Sequence, residues 1–251
     1  CETSLSSDCD VLARIHAVWG LGQLLRKKMV DAEVILPLLA DPCAELRRNA
    51  IVMLGDGHAV QAIPHLIDVL NEKDANKCSL AEKAAAAIAL GRIARHVGET
   101  ISQAVPVLKE TLANNNNVDP VLRSAACFSL SECATEGQLA ECASDACQSV
   151  RLGAVVALAR MRSSRLGAFV DDPDTQVVTE AARGLYGNVD EESTRILSML
   201  GRKPNISDIT RRYAVAASFR RGGLIEARTV LGIAADREAS EEVRVEAMNA
   251  L

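Results

Sequence analysis

Arg14-Ile-His-Ala17-Val-Trp-Gly-Leu21-Gly22 is followed 33 residues on by Arg47-Arg-Asn-Ala50-Ile-Val-Met-Leu54-Gly55. The shared phrase is Arg, two residues, Ala, three residues, Leu, Gly. Looser copies start at Lys83, Arg123, Arg151, Val178, Arg211 and Arg244, so the eight starts are separated by 33, 36, 40, 28, 27, 33 and 33 residues. Self-similarity at such a period is the signature of a repeat array. In an array each unit buries its apolar face against its neighbours, and no single central core has to grow with chain length.

Within each copy, offsets 0, +3, +4 and +7 from the phrase start share one side of a helix. Ala at +3 and a small or branched residue at +4 (Val18, Ile51, Ala87, Cys127, Val155, Ala182, Val215) permit close approach of a paired helix, and Leu at +7 fills the layer between repeats. The Gly at +8 is expected at the helix end, where a left-handed residue is favoured. A second signature precedes several copies: Ile35-Leu-Pro37, Ala62-Ile-Pro64 and Ala104-Val-Pro106 place proline in the first turn of an apolar helix, where its missing N–H has no partner to lose. Polar turns follow, as at Asp41-Pro42, Asp119-Pro120 and Asp172-Pro173. There Asp is expected to cap the next helix and Pro to preset its first turn. The phrase Arg is expected to reach the Asp of the turn before it, Asp41 for Arg47 and Asp145 for Arg151. The competing reading of these arginines is an anion-binding row.

The composition agrees with thin, closely packed helices. Apolar residues make up 49% of the 251 residues but aromatics only 2%, and the net charge is −5. An acidic chain without basic, aromatic-interleaved stretches is a poor nucleic-acid binder. No uncharged apolar run approaches the roughly 18 residues of a membrane span. The chain opens at Cys1 and closes on Leu251, in the middle of a good copy of the phrase. The expectation is therefore a single solenoid over 1–251, cut from a longer protein. Eight cysteines are compatible with an oxidising compartment; Cys127 reads as a small core residue, and Cys133, Cys142 and Cys147 form the best disulfide candidate.

The turn followed by Arg-x-x-Ala-x-x-x-Leu-Gly resembles HEAT repeats, of the short kind also found in phycobilin lyases. The resemblance runs from Asp10 to Leu251 and implies an all-α, αα-superhelical solenoid of about seven to eight helix pairs. More narrowly, Ala13 to Gly22 and Leu38 to Asp56 are similar to the HEAT segment of planctomycete-type dehydrogenases, which lies between a propeller and a cytochrome c domain. That resemblance implies an exported, periplasmic setting. Neither flanking domain is in this chain, so it implies no dehydrogenase activity here.

The sequence carries none of the common catalytic signatures. There is no Cys-x-x-Cys-His, no Cys-x-x-Cys pair, no His-Glu-x-x-His and no Gly-x-Ser-x-Gly, so haem attachment, structural zinc and a hydrolase elbow are not encoded. None of the four histidines precedes Glu, which removes the di-iron hydroxylases of this repeat class. His58 and His65, seven apart, share a helical face without a third ligand. Asn205-Ile-Ser207 is a formal glycosylation acceptor. No cofactor and no metal are expected.

Binding is expected at wheel positions +2, +5, +6 and +9, which point away from the core. Position +5 carries Trp19 and Phe128 as candidate anchors, and Arg183 in a later copy. Arg211, Arg212, Arg220 and Arg221 form a basic cluster in which Arg212 and Arg220 share a face near Tyr213. The candidate partner-binding residues are thus Trp19, Phe128, Arg183, Arg212, Tyr213 and Arg220. The function expected is a non-catalytic scaffold for a protein partner or flanking domains of its own chain. The alternatives are a phycobilin-lyase-like tetrapyrrole-handling protein and, less well matched, a DNA-binding glycosylase of similar architecture.

Overall fold

A computed structural model describes residues 10–74, 76–98 and 101–251. The described residues are all-α, with no strand, and the fold is a HEAT-like helical solenoid. The chain divides into two compact units, Cys1–Thr135 and Glu136–Leu251.

The first unit holds α1 (Val11–Arg26), α2 (Ala44–Asp56), α3 (Ile63–Asn71), α4 (Leu80–Val97), α5 (Val105–Asn115) and α6 (Pro120–Cys133). The phrase lies on α1, α2, α4 and α6, which pack side by side in that order, while α3 and α5 pack on α4 and α6. The second unit holds α7 (Glu136–Glu141), α8 (Gln148–Arg160), α9 (Thr175–Gly187), α10 (Glu191–Leu200), α11 (Asp208–Arg221), α12 (Leu224–Ala235) and α13 (Glu241–Asn249). Here the phrase lies on α8, α9, α11 and α13, again packed in succession.

The local chemistry that starts these helices is visible in α4. Ser79 Oγ accepts from Glu82 N at 3.2 Å, and the Glu82 carboxylate accepts from Ser79 N at 2.9 Å. This reciprocal capping box satisfies two donors that the helix leaves open. Six alanines between Ala84 and Ala94 then favour propagation, and Gly98 in the left-handed region ends the helix. In α6, Asp119 caps Leu122 N at 2.7 Å with Pro120 in the first turn, as the sequence predicts. Pro64 and Pro106 stand in the first turns of α3 and α5. Leu36–Ala40 is a short 3-10 helix rather than an α-helix, so Pro37 opens one tight turn.

The core follows the predicted offsets. Ala50, Ile51 and Leu54; Ala86, Ala87 and Leu90; Ala126, Cys127 and Leu130 are buried in the first unit. Ala154, Val155 and Leu158 and then Ala181, Ala182 and Leu185 repeat this in the second. Each fully buried leucine contributes on the order of 2 kcal/mol of apolar transfer.

Three expectations about the phrase itself are corrected. Beyond the first copy, where Gly20 is exposed, position +6 does not face outward: Ala89, Ser129, Ala157 and Ala217 are buried, and Ala89 and Ser129 meet the preceding phrase helix at Gly55 and Gly91. The Gly at +8 is no left-handed stop. Gly22 and Gly91 lie inside α1 and α4, and Gly55 in the last turn of α2. A Cβ on Gly55 would stand 2.7 Å from Ala89 Cα, and one on Gly91 would stand 2.7 Å from Phe128 Cε1. These glycines let neighbouring phrase helices touch.

The third correction concerns the Arg tie. Arg47 does not pair with the carboxylate of Asp41, the turn before it. It donates to the carbonyls of Asp41 (2.8 Å) and Pro42 (3.2 Å), and its charge is met by Glu82 of the following copy at 2.7 Å. Arg151 likewise donates to the Asp145 carbonyl at 3.0 Å and pairs through two bonds with Asp172, at 2.7 and 3.1 Å. Arg14 pairs with Asp41, and Arg211 with Asp236 at 2.9 Å. The Asp of the turn binds backbone as well: Asp41, Asp172 and Asp236 each accept from the N–H two residues on, at 2.8, 2.8 and 3.0 Å. At these turns Asp is not the N-cap; Cys43 and Asp174 hold that place before α2 and α9.

Cys133, Cys142 and Cys147, the disulfide candidates, carry unbridged thiols, and Cys127 is buried as expected of a core residue. Cys133 Sγ lies 3.6 Å from Ser129 Oγ, and the Cys142 thiol donates to the Gln138 carbonyl at 3.4 Å. Burial pushes the Cys133 thiol up to about 11. Cys1 and Cys9 lie outside the described residues. Among the described residues no helix is long and apolar enough to cross a membrane.

Candidate functional site

Once the phrase residues are satisfied inside each unit, the side chains that vary between copies remain for contact. At offset +5, Val52, Ile88, Phe128, Val156 and Ala216 are half-buried between adjacent phrase helices, while Trp19 and Arg183 are exposed. Trp19, on α1, is 44% exposed; its Nε1–H donates to Asn49 Oδ1 of α2 at 2.7 Å, and its ring meets His16 edge-on at 5.0 Å. Phe128, on α6, sits over Gly91 with the Arg95 guanidinium 5.2 Å from its centroid. Trp19 is therefore a surface aromatic held by one hydrogen bond, and Phe128 is mostly a packing residue.

In the second unit the residues gather around Tyr186. It occupies offset +8 of the Val178 copy, where the first copies carry Gly. Its ring lies 5.2 Å from that of Tyr213 on α11, and the Arg220 guanidinium stands 4.4 Å above it. Arg220 also donates to the Tyr186 carbonyl at 3.2 Å. Arg183, one turn earlier on α9, holds Glu180 at 2.6 Å and remains half exposed. Arg183, Tyr186, Tyr213 and Arg220 thus line neighbouring phrase helices α9 and α11.

The basic cluster is less basic than its sequence. Arg212 does not share a face with Arg220: it reaches forward to Glu246 on α13 at 3.1 Å, whereas Arg220 reaches back to α9. Arg211 is the buried tie described above, and Arg221 meets Glu191 and Glu226 at 3.0 and 3.2 Å. Tyr186 is the residue that the sequence pattern misses; an aromatic at a glycine position of the phrase is the signal that finds it.

His58 and His65 do not form a pair. His58 stacks on His96 at the end of α4, while His65 lies on α3 beside a different pocket. Ser207 of the glycosylation sequon caps α11 by accepting from Thr210 N at 3.2 Å.

Residues 32–131 match the family model of HEAT repeats. The match covers the helix pairs from Ala32 to Ser131, all inside the first unit. Three solved structures are similar over 99% of this chain. Human deoxyhypusine hydroxylase in complex with glycerol is 18% identical, with a TM-score of 0.39 and 92% of that chain covered. The complex of CpcE and CpcF of phycocyanin lyase from Nostoc sp. is 19% identical, with a TM-score of 0.45 and 91% covered. An archaeal HEAT-like repeats protein from Thermococcus onnurineus is 16% identical, with a TM-score of 0.48 and 93% covered. At these identities and TM-scores the likenesses carry nothing about activity. No curated protein matches the chain.

Proposed function

We propose that the chain is a non-catalytic interaction module whose phrase helices present a contact surface to a protein partner or to flanking domains of its own chain. The observation that supports this reading is a division of labour along the repeat. The charged residues that recur, Arg14, Arg47, Arg151 and Arg211, are turned inward onto carboxylates and carbonyls of the same unit. The residues that vary, Tyr186, Tyr213 and Arg220, stand together on α9 and α11, with Arg183 one turn earlier on α9. Tyrosine and arginine dominate the energetics of protein interfaces, and the guanidiniums suit a partner that offers carboxylates. The repeat class supports the same reading, since HEAT repeats generally mediate protein interactions. An exported, periplasmic setting belongs to this reading, supported by the resemblance of the first two copies to HEAT segments of exported dehydrogenases.

The test is site-specific photo-crosslinking in the producing cell. A photoreactive residue at Tyr213 is expected to give one discrete adduct, and the same residue at Glu110 on α5 none. No adduct from position 213, or equal adducts from both positions, overturns the reading.

A further inference from the structure

At the turn after α2 two imidazoles lie face to face. His58 and His96 stack with centroids 3.9 Å apart and planes 3° from parallel. Four more side chains complete an open pocket of about 540 Å³: Arg26 at the end of α1, Asp56 at the end of α2, and Arg92 and Arg95 on α4. All six lining residues are ionisable, and five are cationic or become so on protonation. This basic concentration runs against a chain of net charge −5.

The guanidiniums are partly engaged and keep donors to offer. Arg26 donates to Gln23, Arg92 to Asp56 and Arg95 to Glu132, one N–H each, whereas each guanidinium carries five. The Arg92–Asp56 and Arg95–Glu132 pairs are half exposed on the arginine side, where an ion pair is weak and readily shared with a competing anion. Three guanidinium forks lining one pocket match a compact ligand with several acceptor oxygens. Every side chain that lines the pocket ends in a charged or ionisable group.

We propose that this pocket binds a small tetrahedral oxyanion of the phosphate class, held by Arg26, Arg92 and Arg95, and that binding is coupled to proton uptake by His58. The proposal is independent of the interaction surface on α9 and α11. The groups that face His58 are Arg26 from α1, Asp56 from α2, and Arg92, Arg95 and His96 from α4. Burial lowers the His58 pKa below its ordinary 6.5; His96 and Arg92 lower it further, and Asp56 opposes them. Near neutral pH His58 is therefore uncharged. An anion among the guanidiniums favours the imidazolium, so by linkage the anion binds more tightly as pH falls.

The experiment titrates the full chain with sodium sulfate at constant ionic strength, balanced with sodium chloride, and follows the four histidine ring resonances by NMR. Sulfate keeps its charge across the range, so a change in affinity reports the protein's protons rather than the probe's. The expected result is a saturable shift confined to His58 and His96, with about tenfold tighter binding at about pH 5.5 than at about pH 8, equivalent to one pK unit of coupling. Inorganic phosphate is expected to compete, Arg26→Gln with Arg92→Gln to weaken binding at both pH values, and His58→Asn to flatten the pH dependence. Arg26 and Arg92 are exposed, and asparagine tolerates the left-handed backbone at position 58, so these variants are expected to retain the wild-type circular dichroism. Equal shifts at His16 and His65, equal shifts with chloride alone, or a pH-independent affinity overturns the proposal.

Discussion

Arg47 and Glu82 meet across two copies of the phrase, and the same carboxylate closes the capping box of α4. Burial alone would raise the Glu82 pKa, but hydrogen bonds from Arg47 and Ser79 outweigh it and hold the group below its ordinary 4.5. A carboxylate depressed in the folded state adds stability above its unfolded pKa, and that stability is lost as pH falls through the folded value. Glu82→Gln is therefore expected to be less stable than the parent at about pH 6, with the difference shrinking steadily below about pH 4.5. Urea midpoints at a series of pH values check this; a constant difference down to about pH 3 contradicts it. The Arg, Ala and Leu of the phrase are legible in the sequence, because a 3.6-residue period puts them on one face. The carboxylate that each Arg meets is not. Asp41 is six residues before Arg47, yet the partners of Arg14, Arg47, Arg151 and Arg211 lie 27, 35, 21 and 25 residues further on. Only packing of one copy on the next decides that choice.

The helices show the same limit for glycine. Gly at +8 reads as a helix stop because glycine is common there, but Gly55 is where α2 touches α4. Gly55→Ala places a Cβ 2.7 Å from backbone at Ala89. It is expected to lower stability by roughly 1–3 kcal/mol through overpacking, despite the better helix propensity of alanine. Gly20→Ala on α1 meets nothing within 4 Å and is expected to stabilise by roughly 0.5–1 kcal/mol. Opposite signs in the two melting shifts support the contact; the same sign in both contradicts it. The 3-10 turn at Leu36–Ala40 and the buried face at +6 were hidden from the sequence for a related reason. A helical wheel shows which residues share a side, and not how many neighbours that side meets.

Across the molecule, the period makes the helix-pair architecture of each unit legible, and it does so because recurrence is what packing demands. Function escapes the same reading, because contact residues are those that depart from the phrase. Tyr186 on α9 replaces a glycine and gathers Tyr213 and Arg220, whereas Arg212, though only one residue from Tyr213, turns to Glu246. Side chains that build the repeat are thus distinct from side chains that vary on its surface. Thermal unfolding of Asp172→Asn beside Arg212→Ala tests that separation most directly. Asp172 is 1% exposed and carries the charge of the buried Arg151, so its neutral variant is expected to lose on the order of 3 kcal/mol. Arg212, half exposed against Glu246, is expected to change stability by no more than about 1 kcal/mol. A large loss for Asp172→Asn with a near-unchanged midpoint for Arg212→Ala is the predicted result; equal losses, or the reverse order, contradict it.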